Sequence, residues 1–196
     1  MKVLDVGCGA GILAESLGRL GMGSVTGIDP VPKCIELAEA HLSLDAELSK
    51  SVNYRNVSIE HLISEMETSA DPDAELYDLV CCSEVIEHVE NQRGFLHKCI
   101  KMLKPGGLFF LSSIAKTPEG WFLNIVMGEY VLGLLPKGTH EWNYLISQET
   151  VQQHLEEVGC QTIDKKGATI LNPITREMGE IPYLRANYLM MAKKGY

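Results

Sequence analysis

The 196-residue sequence predicts a single α/β domain built around a doubly wound, mostly parallel β-sheet. Two observations support this fold class. Between residues 2 and 111, short apolar runs alternate with segments in which apolar residues recur at helical spacing. After its first residue, the run 78–82 is entirely apolar, which is typical of a strand covered by helices on both faces. Alternating strands and helices of this kind pair in parallel through right-handed crossovers.

Six segments are predicted to be strands because they are short and rich in aliphatic side chains. Gly7 ends the first of them and the pair Asp29-Pro30 ends the second, since glycine and proline interrupt a strand. The predicted strands are residues 2–6, 24–28, 52–57, 78–82, 108–111 and 188–192.

Five segments are predicted to be helices because apolar residues recur in them every third or fourth position. The predicted helices are residues 12–20, 33–44, 60–65, 93–103 and 148–158. The turn Lys104-Pro105-Gly106-Gly107 ends the fourth helix, and Ser147 is the expected N-cap of the last. The alternation breaks after Ser113, so we expect one domain over residues 1–196 with an apolar insertion at 118–140.

The composition excludes several classes of function. The net charge is −9 and the sequence pI is near 5.1. Such a surface repels phosphate backbones, so we expect no nucleic-acid partner. The six cysteines form no Cys-x-x-Cys pair, which favours buried reduced thiols over disulfides or a zinc site. The chain begins almost inside a strand with no signal or transit pattern, and we expect the N-terminal part of the domain to be missing.

A glycine-rich loop, Asp5-Val6-Gly7-Cys8-Gly9-Ala10-Gly11, joins the first strand to the first helix. Glycines allow a sharp turn and let a ligand approach bare backbone beside helix N–H groups. The dinucleotide pattern G-x-G-x-x-G requires glycine at position 12, where this chain has Ile12. Asp5 would repel a pyrophosphate, so the loop favours a ligand that carries the ammonium of an amino acid.

Asp29 ends the second strand, at the edge of the sheet where the glycine loop also lies. An acid at this position can accept hydrogen bonds from both hydroxyls of a ribose, as in dinucleotide-binding folds. The alternative is that Asp5 and Asp29 only cap helices and that the glycines only form a turn. The combination of loop, acid and strand–helix context favours the ligand site.

These residues resemble the class I S-adenosylmethionine-dependent methyltransferases. Tyr77–Ser83 and the turn 104–107 also match the pattern of that family. The resemblance implies a Rossmann-like sheet of seven strands. It also implies that the glycine loop lies alongside the methionine part of S-adenosyl-L-methionine, and that the acid after the second strand holds the ribose. The cofactor-binding residues that it implies are Asp5, Gly7, Gly9, Gly11, Asp29 and Ser83.

Two further segments narrow the resemblance: Ser83-Glu84-Val85-Ile86-Glu87-His88-Val89 and Leu135-Pro136-Lys137-Gly138-Thr139-His140. With residues 12–16 and 171–173, they are similar to the ubiquinone-biosynthesis O-methyltransferases. This resemblance implies methylation of a catechol hydroxyl on polyprenylated ubiquinone precursors. It also implies a peripheral place at the matrix side of the mitochondrial inner membrane, or at the cytoplasmic membrane face of a prokaryote, with a quinone-biosynthesis complex as a partner.

Glu84, Glu87 and His88 follow the fourth predicted strand. If the chain turns helically there, all three project to one face at the carboxyl edge of the sheet, where α/β proteins bind ligands. Two carboxylates and an imidazole suit Mg²⁺ or Mn²⁺, and the resemblance likewise places magnesium on these residues. Such a cation would lower the pKa of the catechol hydroxyl. The alternative is that Glu87 and His88 only hydrogen-bond the loop and order the cofactor.

His140 is a candidate general base because it lies on a loop that the resemblance places beside the substrate. A histidine there could accept the phenol proton, although most single loop histidines have no such role.

Residues 121–135 are apolar except for Asn124, Glu129 and two glycines, and are too short to span a bilayer, which takes about 20 apolar residues. Positions 122, 125, 126, 130 and 134 fall near one face of an α-helix. We expect a lid that shelters a prenyl tail or contacts the membrane peripherally. The alternative is an ordinary helix packed on the core of the domain.

Three other functions stay open. A methyltransferase for a small soluble substrate would not need the apolar segment 121–135. A non-catalytic subunit of a quinone-biosynthesis complex would not need the glycine loop or Asp29. A dinucleotide-dependent oxidoreductase is disfavoured by Ile12 and Asp5.

Overall fold

The computed structural model describes residues 1–131, 136, 138–172, 177–181 and 183–196. The strands are β1 (Lys2–Val6), β2 (Ser24–Ile28), β3 (Val52–Arg55), β4 (Tyr77–Ser83), β5 (Leu103–Ile114), β6 (Cys160–Asn172), β7 (Glu177–Ile181) and β8 (Asn187–Lys194). The helices are α1 (Ile12–Arg19), α2 (Pro32–Leu42), α3 (Ile59–Thr68), α4 (Gln92–Lys101), α5 (Pro118–Gly120) and α6 (Gln148–Glu156). A π-helix, Trp121–Val131, continues from α5, and short 3₁₀ turns include Ile86–His88 after β4.

The strands form one sheet in the order β3-β2-β1-β4-β5-β8-β6-β7. The first five pair in parallel, and β8, β6 and β7 pair antiparallel at the other side. The predicted doubly wound, mostly parallel sheet is therefore confirmed. The described residues form eight strands where seven were expected, because they include the additional strand β7 beside β6.

Helices cover both faces of the central strands. On one face, Ala14 of α1 and Ile35 of α2 pack into a buried cluster with β1, β2 and β3. On the other face, Leu62 of α3, Leu96 of α4 and Leu155 of α6 pack into the larger cluster. Strands buried on both faces require apolar runs, and β1 and β4 accordingly have buried residues at almost every position. The carboxyl ends of β1, β4 and β5 thereby meet at one edge of a rigid sheet.

All six cysteines are free thiols, and five of them are buried. The prediction of reduced thiols rather than a disulfide framework agrees with this geometry. Burial raises the pKa of Cys82 and Cys99 well above the ordinary value for a thiol, so these side chains act as small apolar core residues.

The π-helix has a different pattern of burial from the one predicted for an α-helix. Ile125 packs with Ile114 and Leu145 in a small buried cluster. Phe122 and Tyr130, predicted to share a face with Ile125, are 49% and 57% exposed. The wider turn of a π-helix shifts which residues share a face. No described helix is long and apolar enough to cross a membrane. Residues 132–135 and 137 of the predicted insertion, and Pro173 of the predicted 171–173 motif, lie outside the described residues.

Candidate active site

The glycine loop after β1 forms one wall of a cavity of about 340 Å³ at the carboxyl edge of the sheet. Each predicted loop glycine has a left-handed backbone, with φ of 72° at Gly7, 53° at Gly9 and 85° at Gly11. A Cβ at Gly7 would lie 2.5 Å from Cγ2 of Val85, so that position requires glycine. The cavity is lined by Asp5, Gly7, Cys8, Ile12, Leu13, Ser16 and Ser83.

Asp5 brings a buried carboxylate to the floor of this cavity. It lies near the end of β1, paired with Gly27 of β2 and Cys81 of β4, and is 1% exposed. Its Oδ2 atom has no hydrogen-bond partner among the described residues. Burial raises the pKa of Asp5 to about 7, although a hydrogen bond from the Ala14 N–H opposes the shift. A cationic ligand group beside Oδ2 would favour the ionised form.

Asp5→Asn is expected to stabilise the ligand-free chain at pH 8 and to have little effect near pH 4. The pKa of Asp5 rises from an ordinary 3.8 to about 7 on folding, so the folded chain holds the proton more tightly. The stability that this group contributes is therefore full below about pH 4 and is lost as the pH rises through 7. Asparagine cannot ionise and shows no such loss. Urea unfolding of both chains from pH 4 to pH 8 measures the difference, and parallel pH profiles would contradict the expectation.

Asp29 supports the glycine loop from the end of β2. Its Oδ2 accepts from the Gly9 N–H at 3.1 Å, and its Oδ1 accepts from the Val31 N–H at 2.8 Å. The residue is 8% exposed and is not among the residues that line the cavity as the structure describes it. Each carboxylate oxygen keeps a second lone pair, so Asp29 can accept further hydrogen bonds while it holds the loop.

The turn after β4 is held by two serines at the end of β5. Ser112 donates to Glu84 Oε1 at 2.7 Å, and the Ser83 and Ser112 hydroxyl oxygens are 2.8 Å apart. Because the one Ser112 proton is directed at Glu84, Ser83 is the donor in the second contact. Ser113 donates to Glu87 Oε2 at 2.9 Å. The Ser83 and Ser112 hydroxyls thus connect the wall of the cavity to the Glu84 carboxylate, while Ser113 holds Glu87 separately.

Glu87, His88 and His140 come together beside this turn, with donor atoms that all lie within 4.8 Å of one another. The His88 and His140 rings stack with their centroids 5.4 Å apart. Glu87 is 2% exposed, and its Oε1 has no hydrogen-bond partner in the part of the chain that is described. Burial, and then the charge of Glu84, raises the pKa of Glu87 well above its usual range. Burial also lowers the pKa of His88.

Glu84 precedes the 3₁₀ turn in a left-handed conformation, with φ of 53°, and its side chain is not in this set of three. The carboxylate is exposed and accepts from Ser112. The structure therefore places His140 beside Glu87 and His88, and Glu84 next to them along the chain.

His140 is held in place by Glu129 of the π-helix. Its Nδ1 lies 3.0 Å from Glu129 Oε1, and its side chain is 7% exposed. Burial alone would raise the pKa of Glu129, but hydrogen bonds from Gly138 and His140 outweigh it and keep the pKa below the usual range.

Sequence reasoning did not assign Ser112, Ser113 or Glu129 to the site. A signal for each was present. The two serines directly follow the apolar run 108–111, and Glu129 is the one charged residue in the apolar run 121–135.

The chain matches a family model described as a methyltransferase domain over residues 1–165. It is 42% identical over 175 residues to the mitochondrial ubiquinone biosynthesis O-methyltransferase of Rattus norvegicus, covering 89% of this chain and 48% of that protein. It is 38% identical over 192 residues to the ubiquinone biosynthesis O-methyltransferase of Marinobacter nauticus, covering 98% of this chain and 76% of that protein. The chain spans about half the length of the mammalian relatives it matches.

Solved structures share the fold at low sequence identity. The magnesium protoporphyrin IX methyltransferase of Synechocystis, with bound S-adenosyl-homocysteine, aligns with a TM-score of 0.64 at 20% identity, over 98% of this chain and 73% of that chain. An N-methyltransferase of Bradyrhizobium japonicum, in complex with S-adenosyl-L-homocysteine, aligns with a TM-score of 0.61 at 19% identity. The alignment covers 100% of this chain and 78% of that chain. Together with the family model and the bacterial relative, the fold shows that the chain belongs to the methyltransferases, in the ubiquinone biosynthesis O-methyltransferase family.

Proposed function

We propose that the chain is an S-adenosyl-L-methionine-dependent O-methyltransferase that acts on a catechol hydroxyl of polyprenylated ubiquinone precursors. The proposal rests on one observation: the glycine-loop cavity and the cluster after β4 are adjacent and are linked by hydrogen bonds. Ser83 lines the glycine-loop cavity and is linked by hydrogen bonds through Ser112 to Glu84, next to the cluster of Glu87, His88 and His140. A donor site and a site for a polar acceptor thus share one edge of the sheet.

The residues around the cavity fit the methyl donor. The unpartnered Oδ2 of Asp5 suits the ammonium of the methionine part, and the bare backbone at Gly9 leaves room for close approach. Asp29 keeps lone pairs for the ribose hydroxyls while it holds the loop N–H of Gly9. The cofactor supplies a methyl group on a sulfonium, which is a good leaving group. The work of the chain is to place the acceptor oxygen in line with that methyl group, since alignment carries much of the rate of a displacement.

His140 is the proposed acceptor of the catechol proton. A catechol hydroxyl is a weak nucleophile while it is protonated, so removing its proton accelerates the transfer. Nδ1 of His140 faces Glu129, which leaves Nε2 as the nitrogen available to the site. The buried position of the ring keeps water from competing for that nitrogen.

We also propose a divalent cation, Mg²⁺ or a related ion, at the turn after β4. The open Oε1 of buried Glu87 supports this, as does the closeness of the Glu87, His88 and His140 donors. Of the three predicted ligands, Glu87 and His88 belong to this set of close donors, and His140 is adjacent to them. Glu84 lies outside the set and accepts from Ser112, and we propose it as the third ligand because it is next to them along the chain. Such an ion supplies a positive charge that lowers the pKa of a bound hydroxyl.

The apolar segment supports a polyprenylated substrate. Trp121, Phe122 and Leu123 are 41%, 49% and 45% exposed on consecutive positions of the π-helix. We propose that this segment shelters the prenyl tail or contacts the membrane peripherally. Mammalian relatives are named as mitochondrial, which supports a mitochondrial location. Within it, the proposed place is the matrix side of the inner membrane, and for a bacterial chain it is the cytoplasmic membrane face. A quinone-biosynthesis complex is the proposed macromolecular partner.

A methyl-transfer assay tests the proposed function. The chain is incubated with labelled S-adenosyl-L-methionine and either a long-prenyl catechol or the bare catechol, with and without EDTA. We expect transfer to the prenylated catechol at an efficiency at least about tenfold higher, or ~1.4 kcal/mol in transition-state stabilisation. EDTA should lower the rate at least tenfold, and added Mg²⁺ or Mn²⁺ should restore it.

Each other outcome identifies a different function. Preference for the bare catechol would indicate a small soluble substrate. Calorimetric binding of the methyl donor without any transfer would indicate a non-catalytic subunit, and tighter binding of NAD would indicate an oxidoreductase. A rate that is unchanged in EDTA would leave Glu87 and His88 with a structural role only.

A further inference from the structure

We infer that Glu129 is a positioning residue, whose buried carboxylate fixes the tautomer and the direction of the His140 ring. The inference rests on the proposed function for what His140 then does, but the tautomer can be measured without any reaction. It assigns a role to the one charged residue of the apolar segment 121–135.

The Glu129 carboxylate collects four hydrogen-bond donors from one short stretch of chain. Oε2 accepts from the N–H groups of Gly138 at 2.7 Å and Thr139 at 3.3 Å. Oε1 accepts from the His140 N–H at 2.9 Å and lies 3.0 Å from His140 Nδ1. A carboxylate has about four acceptor sites and no donor, so all of its capacity is used. A glutamine could not replace it, because its NH₂ would face N–H donors.

This arrangement determines the tautomer of His140. Three backbone N–H groups point at the carboxylate, and such a set stabilises the ionised form, which only accepts. The fourth contact therefore requires a proton on Nδ1 of His140. The neutral ring then carries its bare lone pair on Nε2, the nitrogen that faces away from Glu129. The His88 ring stacks against this ring, and the Glu87 carboxylate belongs to the same cluster of donors.

The burial of Glu129 indicates that its charge has a purpose beyond packing. Its side chain is 0% exposed, and a buried carboxylate is costly unless it is fully hydrogen-bonded. An apolar side chain at this place in the π-helix would fill the space without that cost. The charge holds residues 138–140 to the π-helix, and it orients the ring that reaches the candidate active site. Groups that orient a base in this way contribute to catalysis through the base and do not touch the substrate.

NMR of the whole chain with ¹⁵N-labelled histidine tests the inference. Long-range ¹H–¹⁵N correlations at pH 8, assigned by comparison with His140→Gln, are expected to show the Nδ1–H tautomer for His140. In Glu129→Gln that preference should be lost. The kcat for the prenylated catechol should fall at least tenfold, while the Kd for S-adenosyl-L-methionine stays within twofold. Glu129→Asp, which keeps the charge, should recover part of kcat.

Glu141→Gln is the matched control, because Glu141 is adjacent to His140 but exposed. It should change neither the tautomer nor kcat. An Nε2–H tautomer in the unmodified chain would overturn the inference, as would an unchanged kcat in Glu129→Gln. If Glu129→Gln does not fold, the tautomer of the unmodified chain and the kcat of Glu129→Asp still decide whether the inference is correct. Should the chain transfer no methyl group at all, the proposed function fails, and the tautomer measurement stands separately.

Discussion

Gly9→Ala is expected to weaken binding of S-adenosyl-L-methionine more than about a hundredfold, or ~2.8 kcal/mol. Gly9 lies in the middle of the glycine loop, with φ of 53°. A Cβ built there meets nothing within 4 Å in the part of the chain that the structure describes. The methyl group of alanine therefore does not clash with the protein itself. It occupies the space beside the loop where the methionine part of the cofactor would lie against bare backbone. Isothermal titration calorimetry measures the loss.

Gly21→Ala is the matched control for this effect. Gly21 follows α1, away from the glycine loop, has a φ of 72°, and likewise has no described atom within 4 Å of an added Cβ. Both substitutions should lower the free energy of unfolding by about 1–2 kcal/mol, the cost of a left-handed residue with a Cβ. Only Gly9→Ala should lose the cofactor. Equal affinities in the two variants would show that the ligand does not approach the loop at Gly9.

Features that depend on local sequence could be predicted. Strands β1, β2 and β4 are apolar runs with clear ends, and the structure places them within one or two residues of the predicted bounds. The glycine loop could be located because positive φ angles and close approach restrict the residue type, as at Gly7. The meeting of Asp5 with Ser83 follows from topology, since the carboxyl ends of adjacent parallel strands share one edge.

Features that depend on tertiary context could not be predicted. Strand β6 has no period-two pattern because its register shifts between Thr162 and Asp164, and residues 163–166 are all exposed. Among the described strands β7 pairs with β6 alone, at the edge of the sheet, so no apolar run marks it. The capture of backbone N–H groups by Glu129 leaves no trace in side-chain spacing, because every residue type except proline has a backbone N–H to donate from positions 138 and 139.

Phe122→Asp combined with Leu123→Asp is expected to reduce co-sedimentation with phosphatidylcholine liposomes at least fivefold. Both side chains are about half exposed on the π-helix, next to exposed Trp121. Burying the exposed half of such a side chain in lipid contributes about 0.7–1.5 kcal/mol each, and a carboxylate at the same place opposes insertion. With a net charge of −9, the chain has no general attraction to anionic lipid, so neutral liposomes isolate the apolar contribution.

Leu44→Asp is the control for this pair of substitutions, since Leu44 is 83% exposed just beyond α2 and its loss should not change sedimentation. The double variant also separates the two roles proposed for the apolar segment. If the segment shelters the prenyl tail, the KM for a prenylated catechol should rise in detergent solution, while the KM for the bare catechol stays constant. If it contacts only the membrane, both KM values in detergent should stay constant and only liposome binding should fall. Unchanged sedimentation together with unchanged KM values would mean that Phe122 and Leu123 take no part in either role, because their exposed side chains would then contact neither lipid nor substrate.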